Sequence, residues 1–169
     1  MTDEQQRIRS YLQAQGAKLT PAQMVEKVQA AMRELRAAAA LVPPARFTQK
    51  PGRDEWSGNE VMAHVVAAGR YFSGAIMALS AGQPLTARPA GRGHEDAPPL
   101  PAEEWLDILE RDRAELFARA LTADPQGHLE ATVEHPFFGP LNWRETLLFM
   151  RLHDLDHAGQ LKQIAAALG

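Results

Sequence analysis

Apolar residues recur every three to four positions through four long stretches of the chain, the spacing of amphipathic helices. The first opens at Thr20-Pro21-Ala22-Gln23, where Thr20 suits the N-cap, Pro21 the first turn and Gln23 the reciprocal capping position. It runs to about Val42 with Met24, Val28, Ala31, Met32, Leu35 and Ala39 on one stripe, and Pro43-Pro44 ends it. Ser57 and Glu60 form a second capping box after Trp56. The helix they open runs to about Ser80, with Val61, Val65, Ala68, Phe72, Ala75, Ile76 and Leu79 on one face and His64 at its edge. Pro101 opens a third helix to about Leu121, with Trp105, Ile108, Leu109 and Leu116 inward and Asp112 close to them. Asn142 and Glu145 cap the last, which continues to Leu168. A short helix from Asp3 to about Gln15, stopping before Gly16, is expected in an N-terminal extension over residues 1–19.

The connections are equally informative. Residues 82–101, GQPLTARPAGRGHEDAPPLP, hold too much Pro and Gly for a regular element, and a loop of that length serves as a crossover or carries function. Residues 123–141 are irregular, with one short extended piece at Ala131-Thr132-Val133-Glu134. Period-two alternation nowhere lasts long enough for a sheet, and no internal repeat occurs. The expected architecture is all-α: a four-helix bundle with a long crossover loop, one domain over residues 1–169.

Composition narrows the function classes. A hydrophobic fraction of 45% and a charged fraction of 23% are those of an ordinary globule. A net charge of −3 gives no electrostatic footprint for nucleic acid, and no basic amphipathic segment asks for a membrane surface. The polar start MTDEQQRIRS has no signal-peptide core, and no apolar run approaches the roughly 18 residues of a membrane span, so a cytoplasmic location is expected. The 169 residues include no cysteine. Disulfides, thiolate ligands and a cysteine nucleophile are therefore excluded, and any thiol chemistry must use a thiol that a ligand brings.

The chemistry lies in the histidines. His153 and His157 stand four residues apart on the last helix and project onto the same stripe as Trp143, Met150, Leu161 and Ile164. With His64, three of the six histidines face inward from two helices. A single inward histidine is most simply a neutral ring bonded to a carbonyl. Three together present many ring nitrogens to satisfy, and one divalent cation would satisfy three of them, with Zn–N bonds of about 2.0–2.1 Å. From the residues alone, core histidines and metal ligands both stand open.

Trp56-Ser57, His64 and His153…His157-Ala158-Gly159-Gln160 resemble the DinB/YfiT-like family over roughly residues 20–168, and His135-Pro136-Phe137-Phe138-Gly139 is also similar to members. The resemblance implies a four-helix bundle and a divalent-metal site, commonly zinc or nickel, on His64, His153 and His157. One position departs: Asp156 stands where many members have a further histidine, and it projects off the inner stripe. His94 and His128 are expected to be solvated loop residues, and His135 either shapes a turn or lines the mouth of the site.

Three neutral imidazoles leave a +2 ion uncompensated, with at least one position open. Such an ion activates water for hydrolysis, aided by a nearby base such as Glu134, Asp154 or Asp112, or binds a thiol as its thiolate for S-transfer. The resemblance favours S-transfer, since the family includes transferases that use bacillithiol or mycothiol as co-substrate. A metal- or ligand-binding stress protein without turnover is the third reading. Arg70, Arg88 and Arg92 read as generic surface residues. A small-molecule substrate is expected. Leu148, Leu152 and Leu155 form a second apolar stripe on the last helix, suited either to the N-terminal segment or the 82–101 loop, or to a homodimer, the preferred reading.

Overall fold

The computed structural model describes residues 1–86, 88–89 and 91–169. Among them run α1 (Asp3–Lys18), α2 (Pro21–Leu41), a 3-10 turn (Pro44–Arg46), α3 (Gly58–Ser80), α4 (Ala102–Thr122), strands β1 (Val133–His135) and β2 (Gly139–Leu141), and α5 (Trp143–Leu168). The three capping boxes close as their sequences predict. Thr20 accepts from the Gln23 N–H and Gln23 Oε1 accepts from the Thr20 N–H, and the same exchange occurs at Ser57/Glu60 and Asn142/Glu145. Each cap contributes about 1 kcal/mol and, more usefully here, sets where the histidine-bearing helices begin.

Two apolar clusters define how the helices run. One joins Met24 and Val28 of α2, Ala75 to Leu79 of α3, Leu116 and Ala120 of α4, and Trp143 to Met150 of α5. The other joins Leu35 to Ala39 of α2, Val61 to Val66 of α3, Trp105 to Leu109 of α4, and Ala158 to Leu168 of α5. The first half of α2 and of α5 therefore shares one end of the bundle with the second half of α3 and of α4. The order is up, down, down, up. α2 packs on α5 and α4, and α3 on α5 and α4, which leaves α4 and α5 at diagonal corners. Because α3 and α4 run the same way, the chain after Ser80 must return along the length of α3, about 35 Å for 23 residues. The 82–101 segment is that crossover, and its length follows from the topology.

Three expectations need correction. α1 does not stop before Gly16 but continues through it to Lys18, because Gly16 is buried where α1 meets the start of α5. A Cβ there would stand 3.1 Å from Glu145 Cγ. Buried Arg144 completes the joint, donating to the Gly16 carbonyl (2.7 Å), the Pro125 carbonyl (2.9 Å) and the Leu19 carbonyl. The second leucine stripe of α5 faces this helix: Leu148 is fully buried in the cluster that contains Leu12 of α1, and Leu152 packs against it. Leu148 and Leu152 of the stripe that suggested a homodimer thus have packing partners within the chain. The 123–141 stretch contains a small antiparallel hairpin, with Val133 opposite Leu141 and His135 opposite Gly139, whose φ of 71° closes the turn. Finally, α3 is by length and composition apolar enough to cross a membrane, contrary to the reading that no run approaches a span. Here its apolar stripe is packed against α4 and α5.

Candidate metal centre

The seam between the two apolar clusters is polar. His64 on α3 and His153 and His157 on α5 meet there, and Arg113 of α4 and Asp154 of α5 sit between the same cluster boundaries. The antiparallel packing of α3 on α5 brings His64 opposite the histidine pair across some ninety residues of sequence. His64 Nε2 lies 3.1 Å from His153 Nε2, and His157 Nε2 lies 3.2 Å from the same atom. One ligand atom from each ring falls within 4.8 Å of the others.

The outer nitrogens decide the tautomers. His64 Nδ1 is 2.5 Å from the Arg92 carbonyl, and His157 Nδ1 is 2.8 Å from Gln160 Oε1. Each partner is an acceptor, so each Nδ1 carries the proton and each Nε2 turns a lone pair inward. His153 Nε2 faces both lone pairs and has one hydrogen at most, so neutral rings alone leave at least one lone pair uncompensated. A divalent cation resolves that conflict. Nitrogens about 3–3.4 Å apart are what metal–nitrogen bonds of about 2.0–2.1 Å produce at adjacent coordination positions. The donor set fits.

Electrostatics favour the ligand form of the rings. Burial holds His153 well below the ordinary histidine range, reinforced by His157, His64, Arg113 and His135 as positive neighbours. Burial also lowers His64, partly opposed by the Arg92 carbonyl. Both shifts favour the neutral imidazole, the form that can ligate a metal.

The flanks are aromatic. Trp56 meets His64 edge-on at 5.3 Å and stacks on His94 at 4.0 Å. On the other side Phe149 lies 5.7 Å from His153 and 4.4 Å from His135. His94 is therefore not the solvated ring expected of a loop: it is half-buried against Trp56, whereas His128 is exposed as anticipated. His135 does not line the mouth. The hairpin turns it inward, where it is buried among Phe72, Phe138 and Phe149, and burial pushes its imidazole down to about 4.

Of the three carboxylates proposed as bases, two are engaged by arginines and one is turned outward. Asp154 is fully buried and held by a bidentate pair with Arg113. Asp112 accepts from Arg70 Nε at 2.7 Å. Glu134 is exposed, because strand alternation turns Val133 and His135 inward and Glu134 out. Asp156 is exposed, in keeping with its projection off the inner stripe, and Arg88 and Arg92 present their side chains to solvent. Sequence reading missed Arg113, although it lies four residues after Leu109 and three before Leu116 on the inward stripe. It also missed the Arg92 carbonyl, which no side-chain pattern can reveal.

A search of curated proteins finds no match. The crystal structure of TT2238, described as a four-helix bundle protein, is similar at 26% identity and a TM-score of 0.65, covering 85% of this chain and 99% of that one. The family pattern of the DinB superfamily matches residues 27–161, a span that contains all three histidines, and the chain belongs to that superfamily.

Proposed function

We propose that the protein is a metal-dependent transferase that joins a low-molecular-weight thiol, of the bacillithiol or mycothiol kind, to an electrophilic small molecule. The observation that carries this reading is a convergent three-imidazole set, with Asp154 and Asp112 engaged by arginines and Glu134 turned outward. A divalent ion held by His64, His153 and His157, zinc or nickel, would supply Lewis acidity and stabilise an anionic sulfur at neutral pH. Hydrolysis would draw on a base to activate and steer water, and Asp154, Asp112 and Glu134 are each engaged or turned away. A thiol asks for no such group, since its proton can pass to solvent once the thiolate is favoured.

The chain's own residues have two tasks. The Arg92 carbonyl and Gln160 hold His64 and His157 in the Nδ1–H tautomer, so that both Nε2 lone pairs stay directed inward. Phe149 and Trp56 border the imidazoles with apolar surface, which suits an uncharged organic electrophile. With no cysteine in the chain, the sulfur comes from the co-substrate. In the transfer, sulfur forms a C–S bond to the electrophilic carbon, the leaving group departs with the bonding pair, and the thiol proton is released to solvent.

Purified, untagged protein tests this. Metal content is measured first, then turnover of a chlorodinitrobenzene-type electrophile with several thiols. Thiol-dependent turnover that chelation abolishes and zinc or nickel restores is expected. Bound metal with no turnover for any thiol would favour a binding protein, and thiol-independent ester or amide cleavage a hydrolase.

A further inference from the structure

We propose that the crossover strap is a working part of the metal centre, and that Gly93 is the positioning residue that brings the Arg92 carbonyl onto His64. The inference rests on the three-histidine reading and extends it to a segment that carries no ligand.

The strap touches α3 at successive points. Asn59 Nδ2 donates to the Pro98 carbonyl at 3.1 Å, while Asn59 Oδ1 accepts from the Leu100 N–H (3.1 Å) and Trp105 Nε1 (2.8 Å). His94 stacks on Trp56, one residue before the cap of α3. Between them the backbone presses closest: a Cβ added at Gly93 would collide with the Ala67 Cβ and reach within 3.7 Å of the Ala63 carbonyl. Ala67 is a short side chain on a packed helix and cannot swing aside. Gly93 also adopts a φ of 73°, where L side chains are strained. The residue immediately before it delivers its carbonyl to His64 Nδ1 at 2.5 Å. Glycine at 93 is therefore required twice, by conformation and by space, at the point where the strap meets a ligand.

The consequence is tautomeric. Without that acceptor, His64 is free to place its proton on Nε2, and the ring then turns an N–H toward His153 instead of a lone pair. Partners of this kind typically tune metal affinity by about 10–100-fold.

The strap supplies its own controls. Gly91 has a φ of 61° but nothing within 4 Å of an added Cβ, so Gly91→Ala carries comparable backbone strain without the collision. Ala67→Gly removes the colliding methyl and supplies the second control for Gly93→Ala.

The experiment reads the His64 tautomer in metal-free, 15N-labelled protein by long-range proton–nitrogen correlation, and cobalt(II) affinity by spectrophotometric titration. Expected are an Nδ1–H tautomer in the parent and a shift toward Nε2–H in Gly93→Ala, with cobalt affinity reduced about 10–100-fold. Gly91→Ala should stay within about threefold of the parent, a change far smaller than loss of such a partner produces. Gly93→Ala combined with Ala67→Gly, which removes the colliding methyl, should recover most of the loss. An Nε2–H tautomer in the parent would overturn the proposal even if no variant folded. So would an unshifted tautomer in Gly93→Ala, or an equal effect from Gly91→Ala. A parent protein that binds no cobalt would instead defeat the metal reading, while the tautomer, measured without metal, still decides the strap.

Discussion

Arg113 and Asp154 meet across the diagonal of the bundle, from α4 and α5 at opposite corners, and both are almost completely buried (1% and 0% exposed side chains). Their bidentate pair ties together two diagonal helices at the level where the apolar core is interrupted by the histidines. Asp154 is consequently a structural partner, although it sits between the two candidate ligands His153 and His157 in sequence.

Removing one member should leave an uncompensated buried charge, a loss of about 3–5 kcal/mol. Against a typical domain stability of about 5–15 kcal/mol, Arg113→Met should lower the urea midpoint sharply with little change in slope. The double variant Arg113→Met/Asp154→Leu should recover most of the loss and still bind zinc, because neither residue is a ligand. An Arg113→Met protein as stable as the parent would contradict the assignment.

Zinc should stabilise the fold through the three imidazoles. At about 100 times its dissociation constant a ligand contributes about 2.7 kcal/mol, which for a chain of this size raises Tm by roughly 5–10 °C. Differential scanning calorimetry with zinc and then with a chelator measures the increment. His153→Ala should abolish it while keeping the far-UV helix signal. An undiminished increment in that variant would place the metal elsewhere.

Burial depresses His135 to about 4, against about 6.5 in an unfolded chain. Above pH 6.5 neither state is protonated and the group contributes no pH dependence. As pH falls from 6.5 toward 4, the unfolded chain takes up a proton that the folded one refuses, so stability declines, and the decline ends below about 4. Between pH 7 and pH 5 this amounts to about 2 kcal/mol. His135→Phe preserves the stack on Phe138 and should lose this part of the acid sensitivity, while the missing acceptor for the Phe137 N–H costs about 1 kcal/mol at neutral pH. Urea midpoints at the two pH values, taken with chelator present, give the comparison.

Gln160 acts on the ion only through His157. Gln160→Leu should weaken zinc binding by about 10–100-fold with an unchanged circular dichroism spectrum, whereas Gln160→Glu keeps an acceptor on Nδ1 and should retain affinity. Equal losses in both variants would show that the side chain matters for packing and not as an acceptor.

The helices were legible because their signals are local. Thr20/Gln23, Ser57/Glu60 and Asn142/Glu145 lie three residues apart, and the apolar stripes repeat within a turn or two, so both survive without knowledge of the partner helix. α1 was cut short because Gly16 reads as a helix stop until the close approach of Glu145 explains it. The hairpin escaped because its strands have three residues each, too few for a period to show. The inward projection of His64, His153 and His157 was readable from the residues, and the resemblance of Trp56-Ser57, His64 and the HxxxHxxQ run to a known family marked them as candidate ligands.

What the sequence determined by itself was which faces of which helices must be buried, and that three histidines share them. Periodicity reports burial whatever does the burying. Tertiary structure decided everything that depends on a specific neighbour. It matched Asp154 with Arg113 and Asp112 with Arg70, took Glu134 to the surface, packed Leu148 and Leu152 of α5 into the cluster that holds Leu12 of α1, and laid a backbone carbonyl of the crossover against His64. Those outcomes arise from contacts between residues distant in sequence. A carboxylate's role in particular is set by the cation beside it, which only the folded chain selects.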